Sequence, residues 1–203
     1  MTSWDKYADG AASWSDDAYA DAATYLAARA ELVVALGPRL EPGDVVLDLA
    51  CGDGGLGAFL PEQRYRGVDA SAEMVAAAKA RGRDVVEADL NDYEPPGPVQ
   101  ATTIFRAIYY ARDRRALLER IAGYTERKLV FDLNPRQYRL DDVRADLRAA
   151  GFDRLDLRPF FVPQTRAPVP GLRALERSGP LARLLLRARF TYMCSASRSS
   201  ARS

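Results

Sequence analysis

The sequence predicts an α/β chain built on a doubly wound, mostly parallel seven-stranded sheet. An N-terminal helical arm leads into it, and a C-terminal cap insertion precedes its last strand. Three observations predict this. Apolar runs of strand length alternate with Ala- and Arg-rich helical stretches from residue 45 onward, the rhythm of βαβ units whose parallel strands need crossover helices. The first run, Val45–Leu49, empties into Ala50-Cys-Gly-Asp-Gly-Gly, where glycines let the backbone turn tightly against a ligand. With 203 residues, 48% of them hydrophobic, the chain suffices for one substantial core and suits a single domain over 1–203.

The arm and first helix occupy residues 1–40. Ser3 to Trp14 alternates aromatic and polar residues without a clean period and reads as an arm or lid. Ser15-Asp16-Asp17 then offers capping side chains. Tyr19, Ala22, Leu26, Ala30 and Val33 recur at spacings of three and four until Gly37-Pro38, which predicts one long amphipathic helix. The core, 41–160, carries strands at Val45–Leu49, Tyr65–Val68, Asp84–Glu87, Ala101–Phe105 and Lys128–Leu133. Tyr93 to Pro98 is a loop because its three prolines suit neither a helix nor a central strand. Asp141–Ala150 reads as a helix closed by Gly151, and Leu155–Phe161 as a further strand. The cap insertion spans 161–189. Its Leu181, Leu184, Leu185 and Ala188 share one helical face, and Arg183 and Arg187 share another. The last strand and tail fill 190–203, with the strand at Phe190–Ala196.

Composition narrows the chemistry. Histidine is absent, which removes the commonest general base, the commonest metal ligand and every nucleophilic mechanism that needs a His partner. No metal site is expected. The two cysteines, Cys51 and Cys194, are too few for a disulfide framework and lack the paired spacing of a zinc site. No stretch has transmembrane length or the pattern of a secretory signal, so a cytoplasmic location is expected. The net charge of +1 hides an asymmetry: residues 1–100 hold 8 basic and 18 acidic side chains, and residues 101–203 hold 21 and 10.

Gly52-x-Gly54-x-x-Gly57 satisfies the dinucleotide fingerprint, with Asp69 where a ribose-binding acid would stand. The surrounding acids argue otherwise. Asp48 lies inside the turn, where a carboxylate repels a pyrophosphate but helps to orient a cationic amino-acid group. Asp48-x-Ala50-x-Gly52-x-Gly54, Arg66-Gly-Val-Asp69-Ala-Ser-Ala-Glu-Met74 and Glu87-Ala-Asp89-Leu90 together resemble the three successive motifs of class I S-adenosylmethionine-dependent methyltransferases. Ala50 departs from the family's first glycine. The resemblance covers about residues 40–160 and implies a Rossmann-like sheet whose antiparallel edge Phe190–Ala196 would complete. It further implies that Asp69 grips the ribose hydroxyls, that Met74 packs on adenine and that Asp89 lies near the adenine amine. Ala50, Cys51, Gly52, Gly54, Ala70, Leu90 and Phe105 would line the rest of the cofactor site. The arm resembles the segment that closes over the cofactor in small-molecule members, which assigns Tyr7, Trp14 and Tyr19 to the methionine end. Packing of the first helix on the sheet is the competing reading for those three.

Methyl transfer is an in-line displacement at a sulfonium carbon, so positioning does most of the work and a base is needed only for an acceptor that stays protonated. The segment after the fourth strand, Phe105-Arg-Ala-Ile-Tyr-Tyr110, sits where the family's acceptor meets the methyl group. It lacks the signature of amino-group nucleic-acid methyltransferases. Arg106, Tyr109 and Tyr110 are therefore the acceptor-side candidates, followed by Asp132 and Asn134. Packing of the tyrosines and pairing of Arg106 with Asp113 are the plainer alternatives. The expected reaction carries the methyl group of S-adenosylmethionine to a small organic metabolite, apolar or anionic, such as a prenyl, polyketide or lipid-linked compound. S-adenosylhomocysteine would be the product. No nucleic-acid partner is expected. The alternative is an RNA or protein methyltransferase using the basic C-terminal half, and the Arg/Leu-rich cap also suits contact with a membrane surface. The oligomeric state is open.

Overall fold

The computed structural model describes residues 11–164, 166, 171–176 and 191–199. Two helices lead, α1 (Trp14–Ala18) and α2 (Ala22–Ala35). The single long helix predicted there is broken, because the Asp21 carboxylate accepts the Thr24 N–H at 2.9 Å and starts a new helix. Alternation then proceeds through β1 (Val45–Leu49), β2 (Arg64–Asp69), α3 (Ala72–Ala80), β3 (Val85–Glu87), β4 (Val99–Ile104), α4 (Arg114–Tyr124), β5 (Thr125–Leu133), α5 (Leu140–Ala149) and β6 (Arg154–Pro159). A short helix, α6 (Leu172–Glu176), and the strand β7 (Tyr192–Ser197) follow. Among the described residues no helix is long and apolar enough to cross a membrane.

The sheet has seven strands in the order β3-β2-β1-β4-β5-β7-β6. The order in which strands are added reverses at β1, which pairs in parallel with both β2 and β4. That reversal opens a crevice at the carboxyl ends of the two strands, where ligands of doubly wound sheets bind. Every position of β1 is buried. Its side chains alternate between two layers. Leu47 and Leu49 join Leu117, Leu118 and Ile121 of α4, whereas Val46 joins Tyr25, Leu32 and Val33 of α2.

Two strand assignments need correction. β7 is antiparallel, as the resemblance implied, but it lies inside the sheet between β5 and β6 and not at its edge. Its six residues are all buried, as a central strand requires. β6 is the edge, and its Arg-Leu-Asp-Leu-Arg-Pro alternation puts charge where an unpaired edge needs it. β6 also ends at Pro159, so Phe160 and Phe161 leave the sheet and face a cavity. Within the cap, α6 is described. The faces drawn from Leu181 to Ala188, with Arg183 and Arg187, lie outside the described residues, as does Tyr7.

Candidate functional site

β1 ends in a turn in which Ala50, Gly52 and Gly54 all take left-handed φ, at 56°, 58° and 68°. Two of these are glycines, for which the conformation is free of strain. Ala50 adopts it at a cost of about 1–2 kcal/mol, so it serves as the missing glycine at a penalty. Asp69, at the end of β2, braces the turn. Its Oδ2 accepts the Gly52 N–H at 2.8 Å and its Oδ1 accepts the Ser71 N–H at 3.0 Å. A carboxylate offers about four lone-pair sites, so two remain for a ligand. Burial pushes the Asp69 carboxyl up, against the pull of those backbone donors.

Asp48 is buried deeper, 4% exposed, and accepts Tyr65 Oη–H at 2.9 Å and Thr103 Oγ1–H at 2.6 Å. Desolvation raises its pKa to about 6 in spite of both hydrogen bonds and of Arg29. Asp89 has the opposite balance. Burial raises its carboxyl, but the Asn91 hydrogen bonds and Arg112 outweigh that and hold it below the ordinary range. Asn91 donates to Oδ1 from its N–H at 2.8 Å and from Nδ2 at 2.7 Å, and Arg112 pairs with Oδ2 at 2.7 Å.

The arm is fastened to the turn by Asp53, which is 1% exposed. Asp53 accepts Ser15 Oγ–H at 2.6 Å, the Ser15 N–H at 3.0 Å and the Gly55 N–H at 3.2 Å, and pairs with Arg81 at 3.1 Å. Gly55 must be glycine for this contact, because an added Cβ would lie 2.5 Å from Ser15 Oγ. Docking of Ser15 brings the Trp14 indole over Gly52, within 3.2 Å of where a Cβ would stand. Behind it, Tyr19 stacks on Tyr25 at 4.2 Å. Arg29 lies over the rings of Tyr25 and Phe105 at 4.6 and 4.5 Å.

Arg29 also meets Asp132 of β5 at 2.6 Å, with side chains 3% and 10% exposed. The other Asp132 oxygen accepts the Arg106 N–H at 2.7 Å, and Arg106 itself holds a left-handed φ of 53°. Arg106 is thereby pinned after β4, its guanidinium 5.8 Å from the Tyr19 ring. Asp113 caps α4 by accepting the Ala116 N–H at 3.1 Å.

These groups surround one cavity. Trp14, Tyr19, Asp48, Ala50, Cys51, Gly52, Asp69, Ala70, Met74, Asp89, Leu90, Phe105, Arg106, Tyr109 and Tyr110 all line it. Of the described cofactor-side residues that the sequence singled out, Gly54 faces away, toward Ala78 and Arg83, and the acceptor candidates Asp132 and Asn134 line a separate cavity. Sequence reasoning missed Ser15, Leu26, Arg29, Asp53, Leu56 and Ala88, which line it as well. Arg29 carried a signal, a charge on the apolar face of α2 beside Leu26 and Val33. Asp53 carried none beyond its place in the glycine turn. A second cavity, about 650 Å³, shares Arg106 and Tyr109 with the first. It brings together Asp132, Asn134, Gln137, Tyr138, Phe160 and Phe161. Tyr109, 49% exposed and tilted against Tyr110 at 4.3 Å, stands between the two.

A doubly wound sheet with a glycine turn and a cavity at the strand ends defines an α/β domain for a nucleotide-like ligand. A dinucleotide fits it poorly. Pyrophosphate binding needs a helix N-terminus directly after the glycines, and here Gly55–Phe59 forms only a 3-10 turn with Asp48 and Asp53 close by. A family model described as a methyltransferase domain matches residues 46–128. Trans-aconitate 2-methyltransferase of Mycobacterium tuberculosis (strain H37Ra) is 36% identical over 94 residues, covering 44% of this chain and 35% of that protein. The enzyme of the same name from Azoarcus sp. (strain BH72) is 30% identical over 133 residues, covering 62% and 52%. The chain thus spans about a third to a half of the length of these curated relatives. Among solved structures, a chain of the complex between the Haloferax volcanii Trm112 methyltransferase activator and a methyltransferase superposes with a TM-score of 0.67 at 20% identity. The match covers 98% and 97% of the two chains. Magnesium protoporphyrin IX methyltransferase of Synechocystis PCC 6803 gives 0.57 at 18% identity, covering 94% and 80%. Both share the fold. With its three motifs in register at successive strand ends, the chain is similar to S-adenosylmethionine-dependent methyltransferases over the part that carries the glycine turn and the acids following it, and it shares their fold.

Proposed function

We propose that the protein transfers the methyl group of S-adenosylmethionine to a small organic acceptor and releases S-adenosylhomocysteine. The convergence of Asp48, Asp69 and Asp89 on one cavity around the glycine turn carries this reading. The residues fit the cofactor. Asp69 keeps two acceptor sites for vicinal ribose hydroxyls, Met74 and Leu90 offer apolar contact for adenine, and Asp48 supplies negative charge for an ammonium group. When bound, the cofactor supplies an electrophilic methyl carbon on a sulfonium.

The chain's own residues then position and shield. Trp14, held by the Ser15–Asp53 contact, covers the glycine turn and excludes water. Arg106 and Tyr109 lie where the two cavities meet, so an acceptor in the second reaches the first past them. Residues 162–164 and 166 wall the second cavity, which supports a small molecule over a polymer as its occupant. The relatives' names support the same class, because trans-aconitate is a small metabolite.

Titration calorimetry of the full chain with S-adenosylhomocysteine and with NAD tests the proposal. Binding of S-adenosylhomocysteine and not of NAD is expected, and the reverse preference overturns it.

A further inference from the structure

The second cavity identifies the chemistry of the acceptor. We infer that it takes a carboxylic acid with an apolar, ring-sized body and that the methyl group goes to a carboxylate oxygen. This rests on the methyl-transfer reading above.

Charge is the first argument. Among its described lining residues the cavity holds two cations, Arg106 and Arg166, and neither has an ion-pair partner among the described residues. Its one lining carboxylate is Asp132, and that charge is already matched. Oδ2 sits 2.6 Å from buried Arg29, and Oδ1 accepts the Arg106 N–H. Glu176 lies behind the wall, buried, accepting the Phe161 N–H at 2.7 Å. The cavity therefore presents net positive charge. An ammonium is repelled there, and an anion gains charge-assisted hydrogen bonds from a guanidinium whose backbone is fixed.

Protons supply the second argument. An alcohol or phenol must lose its proton as the new bond forms, and the described lining residues offer no unpaired carboxylate or imidazole to take it. The chain has no histidine. Asp132 is committed to Arg29. Burial pushes the Tyr25 phenol up to about 12 and raises Tyr138 as well, so neither is a phenolate at neutral pH. A carboxylate needs no base, because it arrives ionised. Its oxygen attacks the methyl carbon, a C–O bond forms as the C–S bond breaks, and the sulfur keeps the bonding pair. An anion and a sulfonium cation become a neutral methyl ester and S-adenosylhomocysteine, with no proton released.

The third argument is the apolar part of the lining, formed by Ile108, Tyr138, Phe160, Phe161 and Val162. Phe160 and Phe161, just past the end of β6 at Pro159, are 5% and 7% exposed and line the cavity. A surface of this kind is stabilised by contact with an apolar body.

The test uses the full chain loaded with S-adenosylhomocysteine and four probes: trans-cinnamate, cinnamyl alcohol, cinnamylamine and trans-aconitate. Cinnamate should bind about tenfold or more tightly than the alcohol and the amine, the ratio set by one charge-assisted hydrogen bond. Arg106→Gln and Arg166→Gln should each remove most of that preference, and Arg166→Gln should leave S-adenosylhomocysteine affinity intact. With S-adenosylmethionine in its place, cinnamate should yield a product that releases methanol in alkali. Equal or weaker binding of the acid, or methylation of the alcohol or the amine, overturns the carboxylate assignment. Tighter binding of trans-aconitate than of cinnamate overturns the apolar body. Failure to bind S-adenosylhomocysteine at all would instead overturn the methyl-transfer reading, so the two failures are distinguishable.

Discussion

Replacing Asp69 tests the cofactor site most directly. Its carboxylate has two sites occupied by the Gly52 and Ser71 N–H groups at 2.8 and 3.0 Å and two left for ribose hydroxyls. A hydrogen bond to a charged acceptor contributes about 1.5–3 kcal/mol, so Asp69→Ala, which deletes both, should weaken S-adenosylhomocysteine binding by about 3–6 kcal/mol, roughly 10²- to 10⁴-fold. The same change strands two backbone donors of the turn, at about 1–3 kcal/mol each, so the folded fraction must be measured in parallel. Asp69→Asn is the milder variant, stranding one of the two backbone donors instead of both. It keeps the size and one acceptor oxygen, and should cost about one hydroxyl contact, roughly 10- to 150-fold. Calorimetry at a temperature where circular dichroism shows both variants folded provides the assay. An affinity within about threefold of the unsubstituted protein in Asp69→Asn would show that the ribose is not held here, and the reasoning from the motifs would fail.

Four further outcomes are expected. Asp48 has a folded-state pKa of about 6, above its unfolded value of about 3.8, so the stability it contributes is full below pH 3.8 and lost as pH rises through 6. Asp48→Asn should therefore remove about 2 kcal/mol of pH-dependent loss between pH 4.5 and 7.5, seen by urea unfolding at the two pH values, and parallel pH profiles would contradict it. Asp132→Asn should destabilise by about 3–5 kcal/mol, because it leaves Arg29 buried without its counter-charge, and a change under 1 kcal/mol by denaturant midpoint would refute the pairing. Ala50→Gly should raise stability by about 1 kcal/mol by relieving its left-handed φ of 56°, with a lower melting temperature as the contrary result. Trp14 fluorescence, isolated in a Trp4→Phe background, should change on S-adenosylhomocysteine binding because the indole covers Gly52, and an unresponsive signal would place the arm elsewhere.

Much of this architecture was legible in the sequence because the features are local. Val45–Leu49 with its glycine turn, the acids ending β2 and β3, and the aromatic run after β4 each announce themselves within ten residues. What escaped depends on distant partners. Arg29 gains its role only from Asp132 and Phe105, which α2 meets after the sheet has formed. Asp53 reads as one more turn carboxylate until Ser15 arrives over it. The break at Asp21 was present as a capping residue, yet the periodicity of Tyr19, Ala22 and Leu26 runs smoothly across it. The order of the last two strands was also missed. Both runs are short, and only the charged alternation of Arg154 to Pro159 marks the outer one.

The placement of β7 bears on how the chain assembles. Residues 45–159 hold six of the seven strands, yet β5 and β6 have no ladder to each other and are joined only through Tyr192–Ser197. A growing chain can pair β1 to β5 as it emerges, but β6 must wait, its backbone unmatched, until a strand made later slots between them. Contacts such as Lys128 with Ser197 close long loops and form slowly. Sheet completion is thus deferred until Tyr192–Ser197 has been made. A stop or a proteolytic cut near residue 191 would release β6 together with β7, exposing the β5 edge beneath the acceptor cavity and inviting edge-to-edge association.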